Sequence, residues 1–290
     1  MGRPRMTPWD DRPCELGEGP LWHPGRGQLF WFDITRGRLL SREGGRPREW
    51  QMGEMASAAG WVDDDTLLVA TESALRLFHL PTARYETVAK LEADDPATRS
   101  NDGRADPWGG FWIGTMGKDA EPGAGGFYRY HRGELRLLWD GITIPNAICF
   151  DEGRACAYLT DTPTGIVRRQ ALDPATGWPV GEAETFLDLN HEGLNPDGAV
   201  TDAEGNLWLA QWGASRVAAY SPEGDLIHSV SVPGAHSSCP AFGGEDYRTL
   251  FVTTARQALE QHKIAEEPRN GMVFAIPDLG PGRPEPRVAL

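Results

Sequence analysis

Short stretches of consecutive apolar residues recur along the chain: Phe30-Trp31-Phe32, Leu67-Leu68-Val69, Phe111-Trp112-Ile113, Ala157-Tyr158-Leu159, Leu207-Trp208-Leu209 and Leu250-Phe251-Val252. Their starts lie 37, 44, 46, 50 and 43 residues apart, which is the size of one four-stranded propeller blade. Six runs predict six blades. Helical periodicity is weak everywhere except Gln257 to Glu266, which reads as a short helical excursion inside the last blade. Residues 1–290 are therefore expected to form one all-β domain, a six-bladed β-propeller. A β-sandwich or two small barrels remain the alternative architectures.

Each apolar run sits in a similar polar setting. The clearest copies run from Asp102 through Asp106 and Gly109 to Trp112, and from Asp197 through Asp202 and Gly205 to Trp208. Asp-x-x-Gly suits a tight turn, because Asp bonds to nearby backbone and Gly accepts positive φ. Gly126–Tyr130 with the turn to Gly133, and Arg216–Tyr220 with the turn to Gly224, read as outer strands of their blades.

Composition narrows the class. The 35 Gly and 23 Pro show no triplet period, which excludes collagen and points to many turns, and 11 Trp supply flat side chains for wedge-shaped gaps. A net charge of −14 repels phosphate backbones and anionic lipid, so neither a nucleic-acid nor a membrane partner is expected. Cys14, Cys149, Cys156 and Cys239 form no C-x-x-C pair, and Cys149 and Cys156 are candidates to face each other across a hairpin. With no apolar leader after Met1 and no long apolar run, a reducing cytoplasm is the expected location.

In a propeller the first strand of every blade lines the central channel. The residues heading the repeats are Glu18, Ala59, Asp102, Asn146, Asp197 and Pro240. Carboxylates converging on a narrow channel repel one another unless a cation neutralises them. Oxygen donors from Asp, Glu and Asn suit a hard divalent ion, and a small ligand set leaves room for water and substrate. Taken singly, Asp102 and Asp197 are ordinary turn residues. Their shared place in the repeat is what points to a metal.

The stretches Leu16–Trp22, Arg99–Gly103 with Gly114-Thr115-Met116, Pro196-Asp197-Gly198 with Trp208, Phe242–Gly244 and Thr253–Arg256 resemble the family of regucalcin, gluconolactonase, bacterial sugar lactonases and luciferin-regenerating enzyme. The resemblance covers residues 13 to 278. It implies a six-bladed propeller with one divalent metal, Ca²⁺, Zn²⁺, Mn²⁺, Mg²⁺ or Fe²⁺, held by Glu18, Asn146 and Asp197. It implies that Arg99 and Asn101 hold substrate oxygens, and that Asp197 is both ligand and catalytic base. The acidic substrate position after Gly-Thr-Met falls on Asp119 or Glu121, and Asn146 is followed by Ala147 where the family often has Gly.

Metal-dependent hydrolysis of a sugar lactone to its aldonic acid is the expected activity, in a monomer or weak homo-oligomer. The metal stabilises charge on the carbonyl oxygen, Asp197 activates water, and His236 is a further candidate for the pocket wall. No G-x-S-x-G elbow and no phosphate loop is present. A non-catalytic calcium-binding or interaction propeller, and an esterase or phosphotriesterase on the same metal, are the competing functions.

Overall fold

The computed structural model describes residues 5–290. Six four-stranded antiparallel sheets are arranged as blades around a channel, and each of the six apolar runs is part of the second strand of its blade. Their inner strands are Gly17–His23, Ala56–Asp63, Thr98–Ala105, Pro145–Asp151, Asn195–Thr201 and His236–Gly243, and neighbouring ones touch all the way round. We number the blades 1 to 6 in this order.

The runs are continuously apolar because both faces of a blade are buried. Leu67 and Val69 pack toward blade 1, whereas Leu68 and Ala70 pack toward blade 3. Leu207 and Leu209 likewise face blade 4, with Trp208 and Ala210 facing blade 6. A strand with two dry faces loses the usual apolar-polar alternation.

The predicted turns form in blades 3 and 5. Asp106 Oδ1 accepts from the backbone N–H groups of Trp108 and Gly110 (2.9 Å each), and its Oδ2 accepts from the Trp112 indole (3.1 Å). Asp202 repeats the arrangement with Glu204, Asn206 and Trp208 (2.9 Å each). Gly109 and Gly205 sit at φ 85° and 86°. One carboxylate thus ties a turn to the aromatic that fills the gap between blades.

Two features lay outside the repeat pattern. Thr7–Asp10 pairs with Val273–Ile276 as the outermost strand of blade 6, so that blade is built from both ends of the chain. Residues 277–290 then run across the end of the ring. Leu279 N donates to Arg248 O, Ala203 N to Pro281 O, Val288 N to Trp61 O and Ala289 N to Gly109 O, joining blades 6, 5, 2 and 3.

Beneath this strap lies Arg104, at the far end of the blade 3 inner strand. It donates to the carbonyls of Ile148 (3.3 Å), Ala199 (3.1 Å) and Pro240 (3.4 Å), and forms a buried ion pair with Glu285 of the strap. One guanidinium therefore ties three other inner strands across the channel.

The predicted helix is shorter than its pattern suggested: Gln261–Glu266 is helical, whereas 257–260 is a loop. All four cysteines are buried and free, with Cys149 opposite Tyr158 and Cys156 opposite Asp151.

Candidate active site

At the opposite end of the channel from Arg104, all six inner strands carry a β-bulge near their start, that of blade 2 being the single extra residue Ser57 and the other five having a common form. Two residues oppose one: Gly19-Pro20, Asn101-Asp102, Ala147-Ile148, Asp197-Gly198 and Ser238-Cys239. Bulges re-aim side chains and are common beside active sites. The residues taken as heads of the repeats are consequently not equivalent positions. Glu18 and Asn146 precede their bulges, Asp197 is the first bulged residue, Asp102 the second, and Pro240 follows its bulge. The extra residue shifts the register, which a repeat count cannot detect.

Glu18, Arg99, Asn101, Asp119, Asn146 and Asp197 all line one cavity of about 390 Å³. Asp102 does not. Its Oδ2 accepts from the Ile148 N–H (2.7 Å) below the cavity floor, directed at the neighbouring blade.

The cavity floor is electrostatically loaded. Burial pushes Glu18 up to about 8, with the negative charge of Asp102 adding to it. Burial also lifts Asp197 well above the usual carboxylate range, reinforced by Glu18 and Asp102, and lifts Asp102 to about 6. Among the described residues no Lys or Arg forms an ion pair with Glu18 or Asp197. The cation whose charge acts on Glu18 is Arg99, itself pushed down to about 10 by burial.

A directed chain of hydrogen bonds crosses the floor. Arg99 Nη1 donates to Asn101 Oδ1 (2.8 Å), and Asn101 Nδ2 donates to Pro145 O (2.9 Å) and Asn146 Oδ1 (3.1 Å). Asn146 Nδ2 donates to Thr162 Oγ1 (2.9 Å), which donates to Pro196 O (2.8 Å). Both amide hydrogens of Asn101 are thus engaged within the protein, leaving Arg99 with the free donors: its Nε and Nη2 have no hydrogen-bond partner among the described residues.

The rim resolves the remaining candidates. Asp119 lies exposed on the rim loop, whereas Glu121 turns back so that its carboxylate accepts from the Asp119 N–H (3.2 Å), and it does not line the cavity. His236 is also outside the lining. Its ring stacks on Trp212 at 4.1 Å, and its Nδ1 donates to the Gln257 carbonyl (3.0 Å). Trp212 lines the cavity in its place, with Thr162, Lys118 and Gln257. Lys118 is paired with Glu72 at 3.1 Å. None of these four carried a motif.

Ala147, Ala120 and Ala258 adopt left-handed backbone at φ 59°, 58° and 62° beside this cavity. Such geometry costs an L-residue about 1–2 kcal/mol, and strain of this kind collects at functional sites.

Two carboxylates and one amide, all buried and lining one cavity, carry the oxygen chemistry that suits a hard cation. Among the described residues, no group of three His, Cys, Asp or Glu side chains is gathered to hold a metal.

The family described as SMP-30/Gluconolactonase/LRE-like region matches residues 16–256. The chain belongs to this family. Among its members, an L-arabinolactonase of Azospirillum brasilense is 35% identical over 267 residues, covering 89% of this chain and 87% of the relative. A 6-deoxy-6-sulfogluconolactonase of Pseudomonas putida is 33% identical over 284 residues, covering 96% of each. The structure of a protein from Agrobacterium tumefaciens, titled a calcium-binding protein, regucalcin, superposes with a TM-score of 0.96 at 38% identity and covers 100% of both chains. The six-bladed propeller is the fold of this family member too. No helix among the described residues is long and apolar enough to cross a membrane.

Proposed function

We propose that the protein hydrolyses a sugar lactone to its aldonic acid with a divalent cation held by Glu18, Asn146 and Asp197. The observation that carries this reading is the floor of the cavity: buried carboxylates, driven far above their ordinary range, with no protein cation bonded to them. A divalent ion reverses that penalty, and the all-oxygen donor set fits one. The lactonase names of relatives that cover most of this chain support the substrate class, and the calcium-binding title of the regucalcin structure supports the ion.

When bound, the cation supplies Lewis-acid polarisation of the ester carbonyl and stabilises the negative charge developing on its oxygen. The chain's own groups do the rest. Arg99 donates from Nε and Nη2 to sugar hydroxyls and orients the ring over the floor. Asp119 accepts from a hydroxyl at the rim, and Trp212 packs against the ring and excludes water from one side. Asp197 accepts a proton from the attacking water, so its carboxylate keeps one oxygen free for that role. Oxygen from water joins the carbonyl carbon, the ring C–O bond breaks, and the departing ring oxygen takes up a proton. General-base help of this kind contributes a factor of about 10²–10⁴.

The test is proton release from five- and six-membered aldonolactones by chelator-stripped protein, with Ca²⁺, Mg²⁺, Mn²⁺, Zn²⁺ and Fe²⁺ returned singly. Aryl esters and a phosphotriester serve as side arms. Hydrolysis is expected to vanish on stripping and to return with at least one ion. Hydrolysis untouched by stripping would overturn the metal dependence. Tight ion binding without turnover of any substrate would instead leave a calcium-binding propeller.

A further inference from the structure

The hydrogen bonds that cross the cavity floor run in one direction only. Arg99 has donors and no acceptor, so Asn101 must present Oδ1 to it. Pro196 O has no hydrogen, so Thr162 must donate to it. Between these ends every amide and hydroxyl is settled: Asn101 Nδ2 faces Asn146 Oδ1, and Asn146 Nδ2 faces Thr162 Oγ1. Rotating the Asn146 amide by half a turn would set two N–H groups against each other at one side and deprive Thr162 of its donor at the other. Asn146 Oδ1 is thereby held beside Asn101 with one lone pair unused.

We infer that Thr162 is a positioning residue for the cation site, holding the Asn146 amide in its coordinating orientation and locking the strand that carries Asp197 against it. Thr162 lies in the short turn Thr162–Thr164 that follows the second strand of blade 4, and its hydroxyl reaches blade 5 at the residue immediately before Asp197. A single hydroxyl thus tethers two donors from neighbouring blades. This inference rests on the proposed cation site, and it concerns a residue that acts on that site through Asn146 and is not one of its three proposed donors. Groups that orient ligands in this way typically change metal affinity by about 10–100-fold when removed.

Thr162→Val keeps the shape and removes the hydrogen bonds, whereas Thr162→Ser keeps both. Calorimetric titration of the stripped protein with Ca²⁺ and Zn²⁺, without substrate, reads the effect directly. Thr162→Val is expected to raise the ion dissociation constant about 10–100-fold, with Thr162→Ser holding near the parent value. Lactone turnover by Thr162→Val should recover as ion concentration rises. Circular dichroism and melting curves show that each variant is folded. Parent-like ion affinity in Thr162→Val, or a Thr162→Ser variant as impaired as Thr162→Val, would overturn this inference and leave lactone hydrolysis standing. An absence of ion binding in the parent protein would sink both.

Discussion

The two ends of the central channel both carry buried charge and treat it in opposite ways. At the strap end, Arg104 has a buried carboxylate partner in Glu285 and carbonyls from three blades. At the cavity end, no side chain forms a hydrogen bond or ion pair with Glu18 or Asp197 among the described residues, and the two carboxylates repel each other, with Asp102 adding to that repulsion. Breaking one half of a buried pair exposes the remaining charge to an apolar interior, whereas charge without a partner is held in place only by the rest of the fold. The strap end is complete in itself. The cavity end leaves two buried carboxylates without an ion-pair partner among the described residues, and that contrast separates a closure from a candidate binding site.

Variants at each end sharpen the comparison. Asp197→Asn should lower kcat/KM for the best lactone by at least about 10³-fold, since it removes both a base and a ligand charge. Its melting temperature should stay level or rise, because a buried carboxylate disappears. Parent-like turnover in that variant would remove Asp197 from the chemistry. Arg104→Met should cost about 3–5 kcal/mol in urea unfolding, and adding Glu285→Leu should recover part of it by removing the orphaned carboxylate, the rest staying with Asp102 and the three carbonyls that lose their donor. A single substitution costing less than about 1 kcal/mol would show that the strap end is not held by charge.

Smaller effects follow at the cavity end. Saturating ion, at about a hundred times its dissociation constant, should raise stability by about 2.7 kcal/mol, and Asp197→Asn should blunt the shift in melting temperature. Ala147→Gly should relieve left-handed backbone beside Asn146 and gain no more than about 1 kcal/mol, since glycine also loosens the unfolded chain. A loss of stability there would mean that the alanine methyl packs better than its backbone suffers.

The fold was legible because its signal is repeated. Six apolar runs, two Asp-to-Trp spacings and regular turns all point to blades, and each is local in sequence. The closing strand Thr7–Asp10 was not legible, being four residues with a proline and three exposed positions. The strap was equally silent, since residues 277–290 form no regular element.

At the site, the residues that meet in the cavity stand on four different blades, so only repeat position or family resemblance could associate them. The bulges then blurred repeat position: Asp102 looked like a partner of Glu18 and instead braces the neighbouring blade. Trp212, Thr162 and Gln257 carry ordinary residue types at ordinary places, and only folding brings them to one wall. His236 had the right address in sequence, yet the stacked indole occupies the place at the wall.

Closing the ring with Thr7–Asp10 against Val273–Ile276 sets an order of events during synthesis. The strand that completes the final blade leaves the ribosome long before its partner exists, and domains made at a few residues per second must wait for it. Blade 6 stands between blades 5 and 1 in the finished ring, its inner strand touching both. The cavity, whose lining is drawn from blades 1, 3, 4, 5 and 6, can take its final shape only after the last sheet has latched. A newly made chain would therefore bring the walls of this cavity together late, as a finished ring and not as a growing one.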